Sequence, residues 1–358
     1  MALPTDNLLD LFRSIVDIES VSRNERELAD AVEEALRGCA HLELVRDGDA
    51  VLARTNLGRA ERVLIAGHLD TVPVAGNLPS SITTGPQGIV VHGRGSCDMK
   101  GGVAVMVWLA RRLTAPNRDI TWVFYDCEEI EVISNGLGRL TANHPDWFAG
   151  IDLAVLMEPT GAQIEGGCQG TIRVDITTTG VAAHSARGWL GHNAIHDMAD
   201  VLQRVRSIEV GEVPVDGLVY REGVNATMIS GGLAPNVVPD WCTVQVNYRF
   251  APDKTADQAL EQLRNWLPDW ELVVSDLSSA ARPGLDRPAT ADFVRAVGGV
   301  PRAKYGWTDV ARFSELGMPA VNFGPGDPAM AHKVDECCPL AHLESCRDAL
   351  QRWLAPPA

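Results

Sequence analysis

The sequence predicts an α/β chain with a mainly parallel sheet, into which a separate α+β unit of ferredoxin-like order is inserted. Three observations carry that expectation. Short apolar strands alternate with helix-length runs in the first and last parts of the chain, a β-α-β-β-α-β order fills the middle, and the length suits two cores. At ~100 to 200 residues per domain, 358 residues make two domains, or one large and one small. The expected division is residues 1–171 with 282–358 for the parallel-sheet domain, and 172–281 for the insert.

Leu8, Leu9, Phe12, Ile15 and Val16 recur at helical spacing behind Thr5 and Asp6, which can cap, so the chain opens with an amphipathic helix. Residues 62–67 (RVLIAG) read as a strand, 101–113 as a helix, and 120–125 (ITWVFY) and 151–157 as further strands. From about 171 the order changes. A strand at 171–179, a helix at 193–205, strands at 225–231 and 241–249, a helix at 255–267 and a strand at 270–274 can close a small core of their own. After Pro283 alternation resumes with a helix over 309–316, a strand over 319–323 and a final amphipathic helix over 340–354.

Hydrophobic residues make up 46% of the chain and charged ones 22%, the balance of a folded chain rather than a disordered or fibrous one. Lys plus Arg number 31 against 47 Asp plus Glu, and the resulting charge of −16 repels phosphate backbones and anionic lipid. Nucleic acid and membrane are therefore not expected partners. Acidic residues interrupt the leucines of the first 20 positions, and no apolar run reaches the ~18 residues of a spanning helix, so a cytoplasmic setting is expected. Eight scattered cysteines show no Cys-x-x-Cys pair, which argues against a zinc ribbon or a disulfide framework.

The informative residues sit where expected strands end. His68 and Asp70 follow the first strand, Asp98 precedes a helix, Glu128 and Glu129 follow ITWVFY, Glu158 ends the third strand, and His332 follows the late strand and the loop from Gly324 to Gly326. Ligands of open α/β sheets bind beyond the carboxyl ends of strands, so these positions can converge on one crevice. Five carboxylates in one place repel each other and call for cations. Two imidazoles with several carboxylates and no thiolate pattern suit Zn²⁺, Co²⁺ or Mn²⁺ better than Ca²⁺ or Mg²⁺. Each piece alone has a plainer reading: a hydrogen-bonded turn for His68 and Asp70, an N-cap for Asp98, surface exposure for the rest. The joint pattern favours the metal.

At these residues the sequence resembles the co-catalytic metallopeptidase family that includes acetylornithine deacetylases, aminoacylases, glutamate-releasing carboxypeptidases and succinyl-diaminopimelate desuccinylases. The matching segments are GHLDTVP at 67–73, GRGSCDMKG at 93–101, the pair at 128–129, EPT at 158–160 and AHKVDE at 331–336. The resemblance implies a di-zinc aminopeptidase-like catalytic domain with an inserted dimerisation and lid domain. It implies two Zn²⁺ per subunit, with Co²⁺ or Mn²⁺ as substitutes. His68 and Glu158 would hold one ion, Glu129 and His332 the other, and Asp98 would bridge them. Asp70 would orient His68, and Glu128 would be the general base of a water attack on an amide.

In the insert, GVAAHSAR at 180–187 resembles the family segment whose histidine reaches the oxyanion from the neighbouring subunit of a homodimer, which singles out His184, with Arg187 beside it. Asn236 in NVVP, Arg249 in NYRF, and Thr308 and Arg312 in TDVARF resemble family segments that bind substrate carboxylates and backbone, a task that suits guanidinium forks. Within the family, CEEIEVISNGLG at 127–138, EGGCQG at 165–170, YREG at 220–223 and KYGWTD at 304–309 look like desuccinylases of actinobacterial type. That implies cleavage of N-succinyl-LL-2,6-diaminopimelate, with acetylornithine deacetylation or another N-acyl amino acid hydrolysis as the nearest alternative and a non-catalytic metal-binding scaffold as the alternative of another class.

Overall fold

The computed structural model describes residues 2–86 and 88–355. The chain divides into two units: Met1–Gly166, Gly284–Arg302 and Arg312–Ala358 form the first, and Gly167–Pro283 with Ala303–Ala311 the second. The second unit thus takes in a segment, 303–311, that lies late in the chain.

The first unit is built on an eight-stranded mixed sheet. Its order is Glu43–Asp47, Ala50–Arg54, Asp119–Tyr125, Arg62–His68, Leu153–Leu156, Ala320–Asn322, Glu165–Gly166 and Arg302–Ala303. The four central strands, from Asp119–Tyr125 to Ala320–Asn322, run parallel, whereas Glu43–Asp47 with Ala50–Arg54, Ala50–Arg54 with Asp119–Tyr125, and Ala320–Asn322 with Glu165–Gly166 pair antiparallel. Asp119–Tyr125 is buried at every position, which is why the sequence there reads as an unbroken apolar run instead of an alternating one. The helix Lys100–Arg112 is buried on nearly all sides and packs against the helices Leu8–Asp17 and Leu340–Leu354.

Leu8, Leu11, Phe12, Ile15 and Val16 form the buried stripe of the first helix. Its cap is Asn7 rather than Thr5 or Asp6: Asn7 Oδ1 accepts from Leu9 N (2.8 Å) and Asp10 N (3.2 Å), because it alone stands one residue before the first turn. Sequence reading also passed over the helix Arg26–Arg37, whose buried side is half alanine, and the hairpin of Glu43–Asp47 with Ala50–Arg54.

In the second unit four antiparallel strands lie in the order Gly223–Gly231, Trp241–Phe250, Gly170–Thr179, Val273–Ser278, with the helices Ala194–Arg206 and Ala256–Trp266 between them in sequence. That is the ferredoxin-like order. Strict alternation along Trp241–Phe250 buries Val244, Val246 and Tyr248 with Ile172, Val174, Met198, Val201 and Leu263 in a core separate from that of the first unit. The last strand starts at Val273, not 270. Among the described residues no helix is long and apolar enough to cross a membrane.

Candidate active site

Four adjacent parallel strands release their chains at one end of the first unit's sheet, and each delivers site residues there. His68 is the last residue of Arg62–His68 and lies in register with Tyr125. Glu128 and Glu129 follow Tyr125 by three and four residues, Glu158 follows the neighbouring Leu156 by two, and His332 comes from the loop beyond Asn322. Glycine makes the close approach possible. A Cβ on Gly324 would stand 2.2 Å from the carbonyl oxygen of Met157 and 2.6 Å from that of Glu158, so only a bare backbone fits against the strand end that carries Glu158.

Asp98 is the common member of two groups of donor atoms. Its Oδ1 lies 3.3 Å from His68 Nε2, which in turn is 3.8 Å from Glu158 Oε1. Its Oδ2 lies 3.4 Å from His332 Nε2, which is 3.0 Å from Glu129 Oε1. Single donor atoms of His68, Asp98 and Glu129 all fall within 4.8 Å of one another. Around a tetrahedral ion held at ~2.0–2.1 Å, neighbouring nitrogen and oxygen donors stand about 3.3–3.4 Å apart, and the separations here, 3.0 to 3.8 Å, bracket that value. Asp98 Oδ1 is buried yet accepts no hydrogen bond of sound geometry, a costly state for a carboxylate that has no further partner. The donor set therefore fits divalent metal.

The electrostatics agree. Hydrogen bonds that it donates to the Asp98 and Glu129 carboxylates push the His332 imidazole up to about 10. Burial opposes charge on His68, but the carboxylates of Asp70 and Asp98 and the charge of Glu128 outweigh it and hold its pKa well above the ordinary value. Asp98 would be raised by burial; its two imidazole partners drive it far down instead. Burial raises Glu129, with the Asp98 charge acting the same way and His332 opposing. Both imidazoles are raised because negative charge is in excess around them, the imbalance a cation would relieve.

The tautomer of His68 is set by backbone. Its Nδ1 donates to the carbonyl oxygen of Asp70 at 3.0 Å, while the Asp70 carboxylate is more distant at 3.4 Å. Nε2 is then bare for ligation. The Asp70 carboxylate has other partners: Oδ1 accepts from Glu128 N (2.9 Å), and Oδ2 from Glu129 N (3.0 Å) and Ser22 Oγ (2.6 Å). Glu25, almost fully buried, accepts from Cys127 N at 3.1 Å. Three consecutive amides, 127 to 129, are thus each held by a carboxylate. Cys127 sits at φ 58° and His332 at φ 64°, left-handed conformations that cost non-glycine residues about 1–3 kcal/mol and that persist where the surroundings enforce them.

A sequence model described as peptidase family M20/M25/M40 matches residues 64–355. The chain belongs to this family. It is 50% identical over 349 residues to the DapE protein of Mycobacterium tuberculosis, covering 97% of each chain. It is 44% identical over 356 residues to the succinyl-diaminopimelate desuccinylase of Corynebacterium glutamicum, covering 96% of this chain and 95% of that one. Among solved structures, the aminopeptidase PepT of Bacillus cereus superposes with a TM-score of 0.78 at 16% identity, covering 98% of both chains, and so shares the fold. As a member of a peptidase family this protein is a hydrolase, and the family is one of metal-dependent enzymes acting on small molecules.

The other expected site residues of this M20 protein lie mostly in the second unit. His184 pairs with Val237 in a two-stranded ribbon, and Ser185 N donates to the Asn236 carbonyl at 2.9 Å, so His184 and Asn236 are brought together. Ala186 N donates to His184 Nδ1 (3.1 Å), which leaves Nε2 of the exposed ring to carry the N–H. Arg187 is exposed in the following turn. Arg249 Nε donates to Asn247 Oδ1 at 3.2 Å, and among the described residues no carboxylate lies within ion-pair distance of it. Burial and the neighbouring Arg173 charge lower its pKa. Thr308 is buried, and its carbonyl accepts from the Cys168 thiol. Arg312, in the first unit, donates to the Val132 carbonyl at 3.1 Å, in the loop after Glu129. Ser22, Glu25 and Glu336 were missed in the sequence; only Glu336 carried a hint, as the last residue of AHKVDE.

Proposed function

We propose that this chain is a dinuclear zinc amidohydrolase that cleaves N-succinyl-LL-2,6-diaminopimelate to succinate and LL-2,6-diaminopimelate, as a cytoplasmic homodimer. The observation that carries the reaction class is the pair of donor groups sharing Asp98, one with His68 and Glu158, the other with Glu129 and His332. The substrate rests on the near full-length likeness to the Corynebacterium desuccinylase.

His68, Asp98 and Glu158 would hold one ion, and Asp98, Glu129 and His332 the other. Bound there, the ions supply Lewis acidity, polarising the scissile carbonyl and acidifying the attacking water. Glu128 is left over from ligation and is steadied by its amide bond to Asp70. It takes a proton from the attacking water and passes it to the amide nitrogen as the C–N bond breaks, so succinate leaves as a carboxylate and the amine leaves neutral or protonated. His184 of the partner subunit donates through Nε2 to the developing oxyanion. Arg249, short of a carboxylate partner, receives a carboxylate of the substrate, with Asn236, Arg187, Thr308 and Arg312 assigned to binding on the family resemblance.

The test is turnover of the succinylated substrate beside N-acetylornithine, before and after chelation and zinc return. Desuccinylation that is faster, lost with the metal and regained with it is expected. Faster acetylornithine cleavage overturns the substrate, and turnover indifferent to chelation overturns the reaction class. Sedimentation of the purified chain as a monomer overturns the dimer and the role of His184.

A further inference from the structure

Glu336 is 1% exposed and takes no part in the donor groups, yet it organises the loop that ends in their shared member. Its Oε1 accepts from Cys97 N and Asp98 N, each at 3.0 Å, and its Oε2 from Gly95 N (3.0 Å) and the Arg94 guanidinium (2.8 Å). Its own carbonyl accepts from Gly93 N at 3.0 Å. The two other amides of this stretch bond elsewhere, Arg94 N to Asn77 O at 3.2 Å and Ser96 N back to Gly93 O at 3.1 Å. Successive amides forming an anion-binding concavity are thus filled by a carboxylate from this chain. Arg94, which supplies the counter-charge, also reaches the carbonyls of Pro73 (3.1 Å) and Lys333 (3.2 Å). One ion pair therefore pins the loop bearing Asp98 to the loop bearing His332, four residues before Glu336.

We infer that Glu336 is a positioning residue that fixes the separation of Asp98 and His332 before metal arrives, and so sets metal affinity. The inference rests on the metal reading of the donor groups. A carboxylate suits this place and an amide does not. In Glu336→Gln the new NH₂ faces either the Cys97 and Asp98 amides or the Gly95 amide and Arg94, donor against donor, and the loop must move. Glu336→Asp keeps the charge but draws it back by one methylene.

The experiment measures zinc affinity by chelator competition on the full chain, the visible spectrum of the Co²⁺-loaded protein, and urea unfolding of the metal-free protein. Glu336→Gln should bind zinc about 10–100-fold more weakly, the usual loss when a group supporting a ligand is removed, with shifted Co²⁺ bands, and Glu336→Asp should fall between it and wild type. A role in folding alone would lower the unfolding midpoint and leave both metal readings of the folded protein at their wild-type values, and that result overturns the inference. Should Glu336→Gln not fold, wild-type affinity and spectrum in Glu336→Asp overturn it equally. Failure of the wild-type chain to bind zinc would bring down the metal reading instead, a separate outcome.

Discussion

Replacing Asp70 by asparagine turns one carboxylate oxygen into an NH₂ at a site that is fully buried. With the NH₂ at the Oδ1 position the Glu128 amide loses its acceptor (now 2.9 Å) while Ser22 keeps donating to the oxygen; with the amide flipped the Glu129 amide loses its acceptor (now 3.0 Å) and the Ser22 hydroxyl must turn to accept from the NH₂. One buried N–H left without a partner costs about 1–3 kcal/mol. The surviving amide bond falls from charge-assisted to neutral strength, roughly half, which adds about 1 kcal/mol. Asp70→Asn should therefore destabilise the metal-free first unit by about 2–4 kcal/mol. Because the NH₂ pushes away an amide that carries Glu128 or Glu129, and a displacement of ~1 Å can cost ~10²-fold, kcat should fall by about that factor with little change in KM. The ion held through His68 should persist, since the His68 Nδ1 bond goes to the Asp70 backbone and not to the altered side chain. Urea unfolding, steady-state kinetics and elemental analysis read the three quantities. Wild-type kcat and stability together would refute the reasoning, and loss of zinc would return the orientation of His68 to the carboxylate.

Glu128→Gln should retain both ions and lose about 10²–10⁴ in kcat, the usual worth of a positioned proton carrier; elemental analysis beside kinetics checks it, and unchanged turnover removes Glu128 from the mechanism. Gly324→Ala forces a Cβ to 2.2 Å from the Met157 carbonyl, so it should destabilise by at least about 1–3 kcal/mol and weaken zinc binding through Glu158; a crystal structure with an unmoved strand end and wild-type stability would contradict this. In the metal-free chain the raised pKa of His332, about 10, means that its pairing stabilises the fold fully below the unfolded value of ~6.5 and fades as pH rises through 10. Zinc must displace the proton held on His332, so its uptake at neutral pH should release protons and tighten as pH rises. Calorimetry in buffers of differing ionisation enthalpy measures this, and pH-independent zinc affinity without proton release would contradict it.

The parallel sheet was legible because its central strands are buried on both faces and so read as apolar runs, RVLIAG and ITWVFY, ending at histidine and acidic residues. The inserted unit was legible from alternation, as along Trp241–Phe250. What stayed hidden had no side-chain pattern. The helix Arg26–Arg37 carries only Leu28, Val32 and Leu36 as large apolar residues, a narrow stripe diluted by three alanines and by charged neighbours. Glu25, Ser22 and Glu336 act on backbone amides or on a distant carboxylate, and Cys127 N or Cys97 N is identical in every residue type, so sequence alone carries no trace of those pairings. The same holds for one bond of Arg312, which it donates to the carbonyl of Val132, 180 residues away. The ligand-bearing residues themselves were legible because their chemistry lies in their side chains and strand ends bring them together.

Anomalous diffraction at the zinc edge, from crystals of the zinc-loaded chain, tests the central claim most directly. The account predicts two peaks about 3.5–4 Å apart, one among His68, Asp98 and Glu158 and the other among Asp98, Glu129 and His332. Zinc bound elsewhere, with no peak beside Asp98, would contradict it.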